Sequence, residues 1–228
     1  HSFQPKDPNL LPSVIKTSFD IAARGRPGPV LIDVPKEVQE GELTSFNDDL
    51  IQTPGYNPTI KGNPRQIKKA SELIKQAKRP LILVGAGVIL ANACEELDEF
   101  AHLINAPVMT SLLGKGAFDE TDDLALGMLG MHGRKVSNDS VNECDLLIAI
   151  GIRFSDRTTG RLDSFVPDSK VIHIDIDPAE IGKNVDVDLP IVGDAKNILE
   201  ALINCFKGYS SNKDVNEWTD KIKQRKFD

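Results

Sequence analysis

The chain has 228 residues, of which 40% are hydrophobic and 27% charged, and its formal net charge is −7. This composition is typical of a globular protein that is long enough to bury a core without disulfide or metal support. Lysines and arginines are interspersed with acidic residues, so there is no basic stripe, which argues against nucleic acid as a partner. The longest apolar stretch, around residues 81–90, contains two glycines and is too short to cross a bilayer, which argues against a membrane partner.

The cysteines and histidines show neither disulfide-framework nor metal-ligand spacing. Three widely separated cysteines, each beside apolar residues, indicate buried thiols of a reducing compartment. We therefore expect a cytoplasmic location of the bacterial or archaeal type and no metal site. The chain opens at His1 without an initiator Met, which suggests a part excised from a longer protein.

The first 62 residues read as one structural unit followed by a linker. Apolar residues at helical spacing predict a helix over 13–24 that stops at Gly25. The branched-apolar run 30–34 is typical of a buried strand. Residues 35–62 are polar and predict a loop, with breakers at Pro54, Gly55 and Pro58.

A second unit begins at Asn63, which is suited to cap a helix with Pro64 at its first position. Apolar runs predict strands over 80–84, 107–109, 146–150, 171–174 and 191–192. Intervening patterns predict helices from 64 to about 77, from 87 through 101, over 136–143 and over 195–206, and a linker-like helix around 218–225.

The strands are continuously apolar and do not alternate, which indicates burial on both faces. Strands of this kind that alternate with helices predict an α/β fold with a parallel sheet between helical layers. We expect a six-stranded parallel sheet over about residues 64–206.

Ligands of open parallel sheets bind beyond the carboxyl ends of the strands. There, Gly85-Ala86-Gly87 allows close approach to a backbone, Arg153 can pair with phosphate, and Asp175 can accept a ribose hydroxyl. Together these features favour a nucleotide-like ligand.

Each feature also has a purely structural explanation. Gly85-Ala86-Gly87 lacks the third glycine of the dinucleotide fingerprint and is equally consistent with a tight turn. Asp177-Pro178 is more typical of a helix N-cap with Pro at the next position. By default, His132 is a loop histidine and Arg157 belongs to a surface ion pair.

Four stretches resemble a known family. Residues 25–36, GRPGPVLIDVPK, resemble the segment that closes the pyrimidine-binding domain of many thiamine-diphosphate enzymes. Residues 129–133 (LGMHG), 151–160 (GIRFSDRTTG) and 173–181 (HIDIDPAEI) closely resemble FAD-containing acetohydroxyacid (acetolactate) synthases. The resemblance covers nearly the whole chain and is weakest over 40–62 and 207–228.

The resemblance implies a Rossmann-like central domain that holds FAD, and it implies specific site residues. The expected cofactor-lining residues are Arg26, Gly85, Ala86, Gly87, Ser111, Leu112, His132, Gly151, Ile152, Arg153, Asp175, Ile176 and Asp194. The expected substrate-channel residues are Lys36, Met131, Asp156 and Arg157. Ser155 and Thr158 depart from the family, which usually has Asp and Val at these positions.

The family's activating glutamate has no counterpart in this chain. Its Mg²⁺–diphosphate motif has none either, since Gly193-Asp194 is followed by Ala195. The resemblance thus implies an inactive part, without catalytic residues, of an enzyme that uses thiamine diphosphate and Mg²⁺ supplied by other domains. That transferase joins two pyruvates, or pyruvate and 2-ketobutyrate, in branched-chain amino acid biosynthesis. Its expected partners are 2-ketoacid substrates, further copies in a dimer or tetramer, and a regulatory small subunit.

The expected division is a remnant of the pyrimidine-binding domain plus linker over 1–53, the central FAD-binding domain over 54–206, and a linker over 207–228. Two alternatives remain open. One is the central domain of another thiamine-diphosphate enzyme, such as a pyruvate oxidase or decarboxylase. The other is a non-catalytic nucleotide-binding module, because fold alone does not determine function.

Overall fold

The computed structural model describes residues 1–53 and 57–226. The chain divides into two compact units, His1–Pro58 and Thr59–Asp228. The expected domain boundary at residues 53 and 54, with the breakers Pro54 and Gly55, falls at the edge of or outside the described residues.

The N-terminal unit contains strand β1 (Ser2–Phe3), helix α1 (Leu11–Ala23), strand β2 (Leu31–Ile32) and helix α2 (Lys36–Glu40). The predicted helix is confirmed as α1. The prediction of a buried strand over 30–34 is wrong, because β2 has two residues and the Leu31 side chain is 66% exposed. Among residues 1–53, 57 and 58, β1 is its only strand partner, and this pairing is too small to bury both faces.

The predicted loop that follows β2 also needs correction. Residues 36–40 form α2, because Val38 buries its side chain to 5% exposure and its N–H bonds to the Pro35 carbonyl at 3.0 Å. One buried apolar residue in a polar stretch gives no periodic signal, so the pattern alone does not predict this turn of helix.

The second unit is built on six parallel strands. They are β3 (Pro80–Val84), β4 (Val108–Thr110), β5 (Ala125–Met128), β6 (Leu146–Ile150), β7 (Lys170–Asp175) and β8 (Leu189–Val192), in the order β5-β4-β3-β6-β7-β8. All five of their pairings are parallel, which confirms the predicted α/β architecture.

Helices cover both faces of this sheet. They are α3 (Pro64–Gln76), α4 (Ala86–Leu90), α5 (Cys94–Ile104), α6 (Lys135–Glu143), α7 (Asp156–Thr159), α8 (Ala195–Cys205) and α9 (Lys213–Arg225). Alternate strand residues feed two separate cores: Ile82 packs in the core with α3, α5 and α8, whereas Leu81 and Leu83 pack in the core with α6 and α9. This two-sided burial explains the continuously apolar strands.

The helix predicted after β3 is two helices, which corrects the continuous helix expected through residue 101. The chain turns between α4 and α5, where Asn92 takes a φ of 52°. Asparagine adopts this left-handed conformation more readily than most residues, so the turn costs little.

The C-terminal helix α9 is helical as predicted, and its apolar side packs on the second unit. Trp218 is 3% exposed and donates its indole N–H to the Pro80 carbonyl at 3.1 Å, while Ile222 is fully buried. Residues 213–225 thus pack on the second unit, and the expectation that residues 207–228 lead to a further domain stays a prediction. No helix in the described ranges is both long and apolar enough to cross a membrane.

Candidate functional site

Most of the expected cofactor residues lie along one edge of the six-stranded sheet. Because every strand is parallel, all the carboxyl ends meet at that edge. In sheet order, the segments that follow the strands are residues 129–133, 111–114, 85–87, 151–153, 176–177 and 193–194. We call this row the carboxyl edge.

The glycines at the centre of the carboxyl edge let two strand ends approach each other. Gly87 donates its N–H to the Gly151 carbonyl at 3.1 Å, and a Cβ on Gly87 would lie 2.6 Å from the Gly151 Cα. The close approach of these two strand ends is therefore sufficient to explain glycine at residue 87. The Gly87 N–H is bonded within the protein.

The segment after β4 presents apolar side chains to solvent. Ser111 is buried and its hydroxyl accepts the Gly114 N–H at 3.1 Å, which closes a short 3-10 turn. Leu112 and Leu113, within that turn, are 69% and 66% exposed. This part of the edge offers apolar contact area next to the glycine turn of β3.

Arg153 projects from the centre of the carboxyl edge. Its neighbours Ile152 and Phe154 are 5% and 2% exposed, so their side chains anchor the turn in the core and Arg153 points outward. Within residues 1–53 and 57–226, no acceptor pairs with the Arg153 guanidinium. An exposed guanidinium without a protein partner is suited to bind phosphate or carboxylate.

The acidic residues of the carboxyl edge also have structural roles. Asp175 is 8% exposed and accepts the Asp177 N–H at 2.9 Å. Asp194 caps α8 by accepting the N–H groups of Lys196 and Asn197, at 3.1 and 3.2 Å. Capping is sufficient to explain Asp194.

Two further expected residues of this edge are placed as follows. Ile176, after β7, is half-buried, and His132 is exposed in the turn after β5. The Asp177 carboxylate accepts the Ala179 N–H at 3.0 Å, but a turn and not a helix follows, so the expectation of a helix N-cap at Asp177-Pro178 is wrong.

Three of the four expected channel residues come together beside the carboxyl edge. Met131 donates its N–H to the Arg157 carbonyl at 3.0 Å, and the Arg157 guanidinium lies 3.8 Å from the Met131 sulfur. The Asp156 carboxylate accepts the Arg157 N–H at 2.9 Å and lies 4.0 Å from its Nε. The Arg157 side chain is 73% exposed, so its cationic end remains accessible.

Arg26 and Lys36 belong to the N-terminal unit and are not part of the sheet. Arg26 is exposed, and Lys36 pairs with Glu40 within α2 at 3.4 Å. Their expected contacts with the cofactor and with the channel remain predictions.

Folding also creates one group with possible metal-ligand spacing in the described ranges. The ligand atoms of Asp98, His102 and Asp122 lie within 4.8 Å of one another, at the opposite edge of the sheet from Arg153. The His102 ring is already paired with Asp122 at 3.2 Å. The sequence could not show this grouping, because it depends on a contact between α5 and the loop before β5.

The turn around Arg153 rests on two residues that are not among the expected site residues, Asn184 and His173. Asn184 donates its side-chain N–H to the Phe154 carbonyl at 2.9 Å, and His173 contacts the Ile152 carbonyl with Nε2 at 2.8 Å. His173 is fully buried. Burial lowers the pKa of its imidazole, and the hydrogen bond to Ile152 and the nearby Glu180 oppose this shift.

A six-stranded parallel sheet between helical layers defines the class of this domain as a doubly wound α/β domain. Residues 67–202 match the family model described as "Thiamine pyrophosphate enzyme, central domain". The chain belongs to this family.

Curated relatives narrow the comparison within that family. The chain is 52% identical over 229 aligned residues to the probable acetolactate synthase large subunit of Methanocaldococcus jannaschii, an alignment that covers 99% of this chain and 39% of the relative. It is 47% identical to the acetolactate synthase large subunit of Corynebacterium glutamicum, over 98% of this chain and 36% of the relative. The chain thus spans less than half the length of these relatives.

Proposed function

We propose that this chain is the central, FAD-binding domain of an acetolactate synthase catalytic subunit. The family match and the names of the relatives support the acetolactate synthase reading over a pyruvate oxidase or decarboxylase domain. The proposed boundaries are residues 54–206 for this domain, with 1–53 as part of the preceding pyrimidine-binding domain and 207–228 leading to the next one.

The observation that carries the nucleotide-binding proposal is Arg153. Arg153 is exposed and follows β6, which lies between β3 with its glycine turn and β7, the strand that ends at Asp175. The residues present fit an extended dinucleotide: a cation for the diphosphate, a carboxylate for a ribose hydroxyl and exposed leucines for a planar ring. In the proposed role, Arg153 holds the diphosphate and Asp175 orients the adjacent ribose.

The flavin would have no net redox role in carboligation. The chain's own contribution would be to bind and orient the cofactor and to form one wall of the substrate channel. Arg157, Met131 and Asp156 form that wall in this proposal, together with Lys36. A guanidinium pairs with a carboxylate in a bidentate geometry, so Arg157 is suited to hold the carboxylate of the second 2-ketoacid.

The whole protein would then condense two pyruvates, or pyruvate and 2-ketobutyrate, to acetohydroxyacids. Thiamine diphosphate and Mg²⁺ would be bound by parts of the protein outside this chain. Further proposed partners are other copies of the catalytic subunit and a regulatory small subunit, in the cytoplasm.

A flavin fluorescence titration tests the binding proposal. We expect the 228-residue chain to bind FAD, and Arg153→Ala to weaken binding by about 1.5–3 kcal/mol if Arg153 bonds to phosphate. Arg79→Ala is the matched control, because Arg79 precedes β3 and lies at the opposite edge of the sheet. Equal affinities for all three proteins would remove Arg153 from the site, and absence of FAD binding by the folded chain would contradict the proposal.

A further inference from the structure

The turn that carries Arg153 has an unusual backbone. Phe154 has a φ of 47°, in the left-handed region that bulky side chains rarely adopt, although it is almost fully buried. A conformation of this kind persists only where its surroundings hold it in place. The contacts of this turn show which residues do so.

Three successive carbonyl groups of the turn are held by two side chains. The Asn184 amide donates to the carbonyls of Phe154 and Arg153, at 2.9 and 3.4 Å. Both acceptors are carbonyl oxygens, so the amide nitrogen of Asn184 must face them. The Ile152 carbonyl contacts Nε2 of His173 at 2.8 Å, so Nε2 must carry the proton.

His173 also holds the Phe154 ring. The two rings meet edge to face with centroids 4.9 Å apart, and the Phe165 ring packs on Phe154 with a centroid distance of 5.9 Å. One residue in the middle of β7 thus contacts both the backbone before Arg153 and the side chain after it.

The direction of these carbonyls determines the direction of the N–H groups. In a trans peptide the N–H points opposite to the carbonyl of the same peptide unit, and no described peptide bond is cis. The N–H groups of Arg153 and Ser155 therefore point away from His173 and Asn184. No acceptor within residues 1–53 and 57–226 meets either N–H group. A cationic side chain next to unused N–H groups is suited to an anionic ligand.

We propose that Asn184 and His173 are positioning residues for Arg153: they hold the carbonyl groups of its turn and thereby fix its guanidinium and the neighbouring N–H groups at the carboxyl edge. This inference rests on the proposed nucleotide-binding function. It assigns a role to Asn184, which lies about 30 residues from the turn in sequence.

The first test needs no ligand. Asn184→Asp replaces the donor amide with a carboxylate of the same shape that cannot donate to the two carbonyls. We expect the amide order parameters of Arg153 and Phe154, from nitrogen-15 relaxation, to fall from about 0.85 to below about 0.6. Asn204→Asp is the control, because Asn204 also donates to a backbone carbonyl, that of Glu200 at 2.9 Å, on the exposed side of helix α8. Unchanged order parameters in Asn184→Asp would overturn the proposal.

The second test uses ADP and isothermal titration calorimetry. We expect Asn184→Asp to weaken ADP binding about tenfold, and Asn204→Asp to leave it unchanged. In the Arg153→Ala background the same Asn184→Asp change should weaken binding by no more than about threefold, because only the contribution of the N–H groups is then left to lose. The same tenfold loss in both backgrounds would contradict a positioning role.

Histidine 173 is tested by comparing two replacements. His173→Gln keeps an N–H donor for the Ile152 carbonyl, whereas His173→Phe keeps the ring contact and removes the donor. We expect Gln to retain ADP affinity within about threefold and Phe to lose about tenfold. Equal affinities of the two variants would remove the hydrogen bond from the proposal.

If the His173→Phe chain does not fold, the exposed Asn184 still permits both earlier tests. The nucleotide-binding proposal and the positioning proposal can also fail separately. If wild-type chain does not bind ADP but Asn184→Asp loosens the turn, the nucleotide-binding proposal fails while Asn184 still holds the turn. If Arg153→Ala weakens ADP binding and Asn184→Asp does not, the positioning role fails alone.

Discussion

Gly85 and Gly151 lie so close at the ends of the two central strands that a Cβ on Gly85 would lie 2.2 Å from the Gly151 carbonyl oxygen. The obstacle is backbone, which cannot move aside as a flexible side chain can. We therefore expect Gly85→Ala to lower the free energy of unfolding by about 1–3 kcal/mol, measured by urea denaturation.

Gly28→Ala is the control for this effect. A Cβ on Gly28 would have no heavy atom within 4 Å, and Gly28 does not require a positive φ. Its expected change in stability is within about 1 kcal/mol. If Gly85→Ala were as stable as Gly28→Ala, the close approach of the two strand ends would be wrong.

The packing of α9 predicts that Trp218 is essential to the stability of the second unit. Trp218→Ala leaves a large cavity beside β3 and an unpaired Pro80 carbonyl, so we expect a loss of about 3–5 kcal/mol in the free energy of unfolding. Glu217→Ala on the exposed side of α9 should change stability by less than about 1 kcal/mol. Similar melting temperatures for the two variants would mean that α9 is a linker after all.

The buried His173 predicts a pH dependence of stability. Burial lowers its pKa in the folded chain, while the unfolded chain takes up a proton as the pH falls through about 6.5. The unfolded state then binds more protons than the folded state, so stability is fully present above pH 6.5 and decreases as the pH falls towards the folded pKa. The slope reaches about 1.4 kcal/mol per pH unit for one proton.

Comparison with His173→Gln isolates this effect, because the other histidines and the carboxylates are common to both chains. We expect the stability difference between wild type and variant to shrink as the pH falls from 7.5 to 5.5, as followed by urea denaturation. A difference that is constant across this range would contradict the assignment of a neutral, buried imidazole.

The sequence pattern predicted five of the six sheet strands because residues such as Leu81 and Ile82 serve two cores, which makes a strand apolar throughout. It did not predict β5, whose four residues include Gly127, a residue that weakens strand propensity. Exposed Arg153 was recognisable from its place after a strand. The contact of Asn184 with this turn was not, because it depends on how the loop after β7 folds back over residues 153 and 154.

The resemblance to acetohydroxyacid synthases predicts that this chain has no catalytic activity of its own. The 228-residue chain by itself should form no acetolactate from pyruvate when thiamine diphosphate, Mg²⁺ and FAD are added, because the residues that activate thiamine and bind its diphosphate belong to other parts of such enzymes. Colorimetric detection of acetolactate is the measurement. A signal above that of a blank without protein would contradict the assignment of this chain as a non-catalytic domain.

The proposed FAD site can be tested directly by locating FAD on the chain. Amide chemical shifts followed during an FAD titration report which backbone segments the ligand reaches. We expect the largest shifts on residues 85–87, 111–112, 151–155 and 175–176, which lie side by side along the carboxyl edge. Shifts confined to the opposite edge, around His102 and Asp122, or no shifts at saturating FAD, would contradict the proposed FAD site.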